Sequence, residues 1–384
     1  MGRERTATTR LEAARSALAS HGLDALLLAS GTNLCFLSGY PAVEPTLARP
    51  FYLIVPRAGA PALIVHNGRE QEARTLSWIG EIKTYEQLSL APVDAINAVL
   101  RSLGIRRGRI GAELGFEQRL GMSVCELERI EQAIDPAEIV DASDLLWGLR
   151  LHKSPEDVSA MRQACACTAA GYDRTFAMAA EGVAEREVAL TMMLETARAG
   201  GTAPWVSITS GTGRYDALMG TGGERRIARG DMVWLDSGCT VDGLWSDFGR
   251  AGVVGGASPE QADAQRQIVE ITNAGVALVR PGRPVAEIAA ELNFRVRALT
   301  LPITSDISGL AGRVGHGVGL DMTEPPHISE QDPTVLAPGM TITIEPGIAT
   351  SFGVFHAEQN VLVTEDDHEV LTRSPQHLRA IATT

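Results

Sequence analysis

The sequence is short of paired cysteines, long apolar runs, positive charge and phosphate-binding glycine patterns. Each shortage removes a class of protein. Its five cysteines, Cys35, Cys125, Cys165, Cys167 and Cys239, are odd in number and scattered. They imply no disulfide framework and fit a reducing compartment. No apolar run approaches the ~18 residues of a membrane span. The first residues, Met1-Gly2-Arg3-Glu4-Arg5, lead into mixed polar sequence rather than the apolar stretch of a secretion leader. The expectation is a cytoplasmic protein with no membrane partner. A formal net charge of −13 argues against a nucleic-acid partner, whose binders carry a basic patch or stripe. Arg106, Arg107 and Arg109 read as solvated surface. The glycines mark turns and form no phosphate-cradling fingerprint.

What is present reads as a mixed α/β chain. A length of 384 residues suits two or three domains, each able to bury a core. Leu11, Ala14 and Leu18 form a helical stripe closed by Gly22. Residues 24–28 and 34–37 read as strands, and residues 51–55 and 62–65 as a hairpin. Helical patterns at 93–103 and 120–133 flank a short strand at 109–113. A boundary falls near 143–153. Ser154-Pro155-Glu156-Asp157 then opens a helix with Ser at the N-cap and Pro at the first position, and Ser258-Pro259-Glu260-Gln261 repeats the device. Strands follow near 231–238, 244–254, 341–345 and 358–363, and they read as hairpins.

Five residues carry the chemistry. Asp236 and Asp247 flank the turn at Val241-Asp242-Gly243. A turn at 241–242 sets them directly opposite; a turn at 242–243 shifts the register by two and keeps both on one face. Two facing carboxylates repel unless a cation lies between them. His316 stands between Gly315 and Gly317, where backbone can approach closely. Glu345 follows the apolar strand Thr341-Ile-Thr-Ile, and Glu358 precedes Asn360-Val-Leu-Val. Four carboxylates and one imidazole are a donor set for two divalent cations, and suit Mn, Co, Zn or Fe(II) without choosing among them.

In this order and spacing the five motifs resemble the pita-bread metallohydrolase family of prolidase, aminopeptidase P, methionine aminopeptidase and creatinase. The resemblance spans the chain. Asn33-Leu-Cys-Phe-Leu-Ser-Gly39-Tyr40 is similar to the opening of the creatinase-type N-terminal domain. Leu336-Ala-Pro338-Gly339-Met340 running to Glu345-Pro346-Gly347 is close to a family signature. It implies an α/β creatinase-like domain over 1–148 and an α+β pita-bread catalytic domain over 149–384. It also implies two divalent ions: Asp236 on one, Asp247 and Glu358 bridging, His316 and Glu345 completing the second. A hydroxide shared by the ions is then the nucleophile, with Glu345 as proton acceptor.

The same resemblance exposes two departures. The family's peptidases carry a histidine about seventeen residues before the first Asp, where this chain has Met219, and no histidine occurs between His152 and His316. They carry another seven residues after the metal histidine, where this chain has Thr323. Prolidase-like members have an arginine four residues further on; here it is His327. Loss of such a donor costs about 10²–10³ in rate. Thr323, His327 and His356 are the candidates to take over. Trp205, Arg214, Tyr215 and Met219 are expected to line the substrate site, Arg214 receiving an anionic group or pairing with Asp216.

The expected activity is metal-dependent hydrolysis of a C–N bond in a short peptide or small amide, Xaa-Pro peptidase-like with an altered substrate. A lyase of the dimethylsulfoniopropionate type is one alternative, and a binding protein on the same fold another. The resemblance also implies a homodimer, with His66 and Asn67–Glu70 as candidate cross-subunit contributors.

Overall fold

A computed structural model describes residues 2–41, 48–216, 218 and 220–383. It divides into two compact units, Met1–Arg150 and Leu151–Thr384.

The first unit is a six-stranded mixed sheet. Its order is Glu81–Tyr85, Ala62–His66, Tyr52–Pro56, Ala25–Leu28, Arg109–Ala112, Glu138–Asp141. Leu27, Ile54, Ile64 and Ile110 form its core with Ile96 and Ile130 from the helices Val93–Ser102 and Val124–Ile134. Residues 34–37, expected as a strand, belong to the helix Gly31–Ser38. A four-residue apolar run does not distinguish the two. Here Leu34 and Leu37, one turn apart, are both buried, and Gly39 at φ +66 closes the helix by donating its N–H to Cys35 O. Left-handed backbone at a helix end favours glycine. Glu113 is buried behind this helix. It accepts the N–H groups of Ala29 and Ser30 on Oε2 and the Asn33 amide on Oε1. Burial pushes its carboxyl up to about 7.

The second unit holds three sheets and the helices Pro155–Met178, Glu185–Arg198, Pro259–Val276 and Val285–Arg297. The expected capping boxes close at Ser154 with Asp157 and at Ser258 with Gln261. One sheet pairs Met232–Val241 with Thr202–Ser210 on one side and Phe248–Val254 on the other. Val233 and Leu235 face Tyr172 and Phe176 of the first helix. The alternate residues, Trp234 and Asp236, point the other way by the two-residue period of a strand.

The turn is at Asp242-Gly243, both at positive φ (51° and 82°), the backbone of a two-residue hairpin whose twist matches its strands. Asp236 therefore pairs with Gly249, two residues beyond Asp247. Both carboxylates share a face, offset along it. Trp205 and Ser207 join that face, opposite Gly238 and Asp236.

A second hairpin passes from sheet to sheet. Thr341–Ile344 pairs with Gln359–Val363 in one, and Gly347–Thr350 with Gly353–His356 in another. The two pairings continue one register, Ile344 with Gln359 and Gly347 with His356. Glu345 and Glu358 thus stand opposite each other at the crossover. The two-residue period puts Thr343, His356 and Asn360 on their face.

Candidate metal centre

Bonds between side chains and backbone hold the strands that carry the carboxylates of this centre. Asn360 Oδ1 accepts the N–H of Asp247 at 3.0 Å, and its amide donates to the Asp247 carbonyl. Glu358 Oε2 accepts the N–H of Gly249 at 3.1 Å. Arg250 is buried and donates to the carbonyls of Gly249, Glu358 and Ser374 and to Gln359 Oε1. Burial draws its guanidinium down to about 10. These bonds fix the strand edges that carry Asp247 and Glu358.

His316 lies on the two-residue strand His316–Gly317, its N–H donated to Thr343 Oγ1. Its Nδ1 donates to Gly317 O at 2.8 Å. That contact places the proton on Nδ1 and leaves the Nε2 lone pair free, the tautomer a metal ligand needs. Nε2 stands 3.6 Å from Asp247 Oδ2 and 3.5 Å from Glu345 Oε1. Burial pushes the His316 pKa down, which favours the neutral ring.

The carboxyl groups crowd one another. Burial, then Asp236 and Glu345, raise Asp247 well above the usual range. Burial, then Asp247 and Glu345, do the same to Glu358. Asp236 is pushed up to about 6 by burial, which outweighs the pull of His356. Glu345 goes the other way, to about 2: burial raises it, and the lowering comes from His316 and His356 when their rings carry positive charge.

Asp236 Oδ1, Asp247 Oδ1 and Glu358 Oε1 are buried and have no hydrogen-bond donor among the described residues. Acceptor-only oxygens left unsatisfied in a low-dielectric interior are costly, and a divalent cation removes the cost. Donor atoms of Asp247, His316 and Glu358 lie within 4.8 Å of one another, as do those of Glu345, His356 and Glu358. The residues present therefore fit bound metal.

The remaining expected site residues divide. His356 is buried beside Glu345, Nε2 3.7 Å from Oε2. His327 is the cross-strand neighbour of His316, and its Nδ1 meets Arg313 Nη1 at 3.0 Å. Thr323 is half-buried just before the strand Glu324–His327. Trp205 is half-buried on the Asp236 face, its Nε1 without a partner among the described residues. Tyr215, expected at the substrate site, packs in the core, and its hydroxyl accepts the Met232 N–H. Arg214 Nη2 lies 3.6 Å from buried Glu185, while Asp216 accepts from Thr304. Met219 lies outside the described residues. Sequence reasoning missed Asn360, Arg250 and Thr343. The two-residue period running forward from Glu358 points to Asn360, on the face that already carries the candidate His356.

Buried carboxylates converging from two hairpins, with His356 on one of them and His316 on a neighbouring strand, are the build of a metalloenzyme. The chain belongs to metallopeptidase family M24: residues 159–365 match that family, and residues 10–152 match the creatinase/prolidase N-terminal domain. It is thus a metal-dependent hydrolase, with the expected creatinase-type domain followed by a pita-bread domain. The Xaa-Pro dipeptidase of Pyrococcus furiosus is 31% identical over 270 residues, covering 69% of this chain and 75% of the relative. Among solved structures, dipeptidase PepE from Mycobacterium ulcerans superposes with a TM-score of 0.82 at 26% identity over 98% of both chains. The Xaa-Pro dipeptidase from Bacillus anthracis has a TM-score of 0.82 at 24% identity over 98% of this chain and 100% of that one, a likeness of fold. Among the described residues no helix is long and apolar enough to cross a membrane.

Proposed function

We propose that Asp236, Asp247, His316, Glu345 and Glu358 hold two divalent ions, and that the chain hydrolyses the C–N bond of a short peptide or small amide. The observation that carries this is the set of three buried carboxylate oxygens, from Asp236, Asp247 and Glu358, without a donor among the described residues. Bound there, the ions would supply a water-derived nucleophile near neutral pH and draw charge from a substrate carbonyl.

The chain's own residues do the positioning. Asn360 and Arg250 hold Asp247 and Glu358 in place. Glu345 stands beside the imidazoles of His316 and His356 and is the proton acceptor that the resemblance implies. Thr323 can donate a hydrogen bond to a developing oxyanion, but a hydroxyl does not relay a proton as an imidazole does. Because an arginine is donor-only, the Arg313 contact makes His327 Nδ1 the acceptor. That leaves the ring proton on Nε2, the donor form. Thr323 and His327 thereby support a substrate differing from that of the Xaa-Pro dipeptidases, and Trp205 supports an apolar wall to its site.

The test is incubation of the metal-loaded chain with Xaa-Pro dipeptides, longer peptides beginning Xaa-Pro, and small linear and cyclic amides, in ¹⁸O-labelled water. Expected are turnover of one class, solvent oxygen in the product, and loss of both in Glu358→Gln. No turnover by a chain holding two ions overturns the hydrolase reading for these substrates, and product without solvent oxygen indicates elimination.

A further inference from the structure

We propose that His356 is itself a metal ligand, so that the centre carries one imidazole for each ion. The inference rests on the two-ion reading above. It adds a sixth donor to the five that the family resemblance supplies, and gives each ion a nitrogen.

Two groups of donors overlap at Glu358. Asp247, His316 and Glu358 form one; Glu345, His356 and Glu358 form the other. Glu345 ties the groups together, with an imidazole on each of its oxygens. His316 Nε2 is 3.5 Å from Oε1, and His356 Nε2 is 3.7 Å from Oε2. Both separations exceed a normal hydrogen bond. They are close to the ~3.4 Å between neighbouring donors around a tetrahedral cation with bonds of about 2.1 Å.

The fold makes room for this ring. His356 pairs with Gly347 across the hairpin. A Cβ on Gly347 would come within 2.9 Å of His356 Cδ2, and one on Gly249 would overlap Nδ1. Trp234 packs edge-on against the ring at 5.7 Å. Nδ1 has no hydrogen-bond partner among the described residues, so the ring is oriented by packing and by the Glu345 carboxylate beside Nε2. The Nε2 edge is the one that faces the carboxylates. A buried imidazole seated between two glycines on the same face as Glu345, Glu358 and Asn360 is built into the site. A nitrogen on each ion moves the preference from Mn towards Zn, Co or Fe(II).

The test uses the full-length chain labelled with ¹⁵N-histidine, stripped of metal, then given two equivalents of Zn²⁺. The bound zinc is counted and the imidazole nitrogens are read by NMR. Of the eight histidines, two are expected to take on the zinc-bound nitrogen signature. His316→Gln removes one signal and His356→Gln the other, and His356→Gln weakens one of the two zinc affinities. Two zinc ions with a single bound imidazole, lost only in His316→Gln, overturn the assignment of His356 and leave the five-ligand reading intact. Fewer than two retained ions overturn both. The wild-type spectrum decides the point even if a variant fails to fold.

Discussion

Asn360 grips Asp247 by its backbone: its side-chain oxygen takes the Asp247 N–H at 3.0 Å, and its amide returns a hydrogen bond to the Asp247 carbonyl. The carboxylate is left with Oδ1 free. A side chain that contacts no cation thereby sets where a candidate ligand points. Asn360→Leu is expected to weaken metal binding by about 10–100-fold and to destabilise the unit by about 1–3 kcal/mol through the unpaired backbone groups. Zinc titration and thermal unfolding of the same variant separate the two effects. Unchanged affinity would remove Asn360 from the positioning of the site.

Gly249 tests the slot in which His356 sits. A methyl group there would overlap the imidazole Nδ1 and approach Trp234 Nε1 at 3.3 Å. Gly249→Ala is expected to displace the ring and lower metal affinity, with unfolding shifted by only about 1–3 kcal/mol, the usual cost of overpacking. Retained affinity in a folded variant would mean that the ring position is immaterial to metal binding.

Lys153 and Glu324 form a buried ion pair at 2.5 Å, with side chains 4% and 1% exposed. Glu324 adjoins Thr323 and opens the strand that lies beside His316. Removing Lys153 takes the cation from a buried carboxylate. Lys153→Met should therefore cost about 3–5 kcal/mol, and Lys153→Met with Glu324→Gln should recover part of it. Denaturant unfolding of the two variants checks this. Equal stability of the single and double variants would show that the charge is solvated after all.

Glu113 makes the first unit sensitive to pH. Its folded pKa of about 7 lies above the ordinary carboxyl value. The stability it contributes is therefore full below about 4.5 and is lost as pH rises through 7, a swing of about 3 kcal/mol. Hydrogen exchange of the amides in Ala25–Leu28, corrected for intrinsic rate and read in the intact chain, should show protection falling between pH 5 and pH 8. Glu113→Gln should flatten that dependence. Constant protection in the wild type would mean the Ala29, Ser30 and Asn33 donors hold Glu113 ionised throughout.

Much of the candidate site is legible in the sequence because Asp247, His316, Glu345 and Glu358 sit at strand ends and Asp236 lies within a strand that a short turn pairs with its neighbour, where pairing rules limit the choices. The Asp242-Gly243 turn was one of two that the motif allowed, and only positive φ at both residues selects it. Residues 34–37 misled because four apolar residues fit a strand or a helix equally; the deciding contact is the Gly39 cap. Tyr215 looked like a pocket residue because it adjoins Arg214, yet its side chain serves the core and the Met232 amide. His356 was harder to weigh. Its significance depends on one register running through two sheets, a relation between Gly347 and Glu345 as much as between His356 and Glu358.

The central claim is that the buried carboxylates and imidazoles are a two-cation site, and counting the metal tests it most directly. The chain is stripped with chelator, reconstituted with excess Mn²⁺ or Zn²⁺, freed of loose metal and analysed for metal per polypeptide. Two ions per chain are predicted for the wild type, with loss of both in Glu358→Gln, since Glu358 belongs to both donor groups. A wild-type content near zero, or two ions retained unchanged in Glu358→Gln, would contradict it.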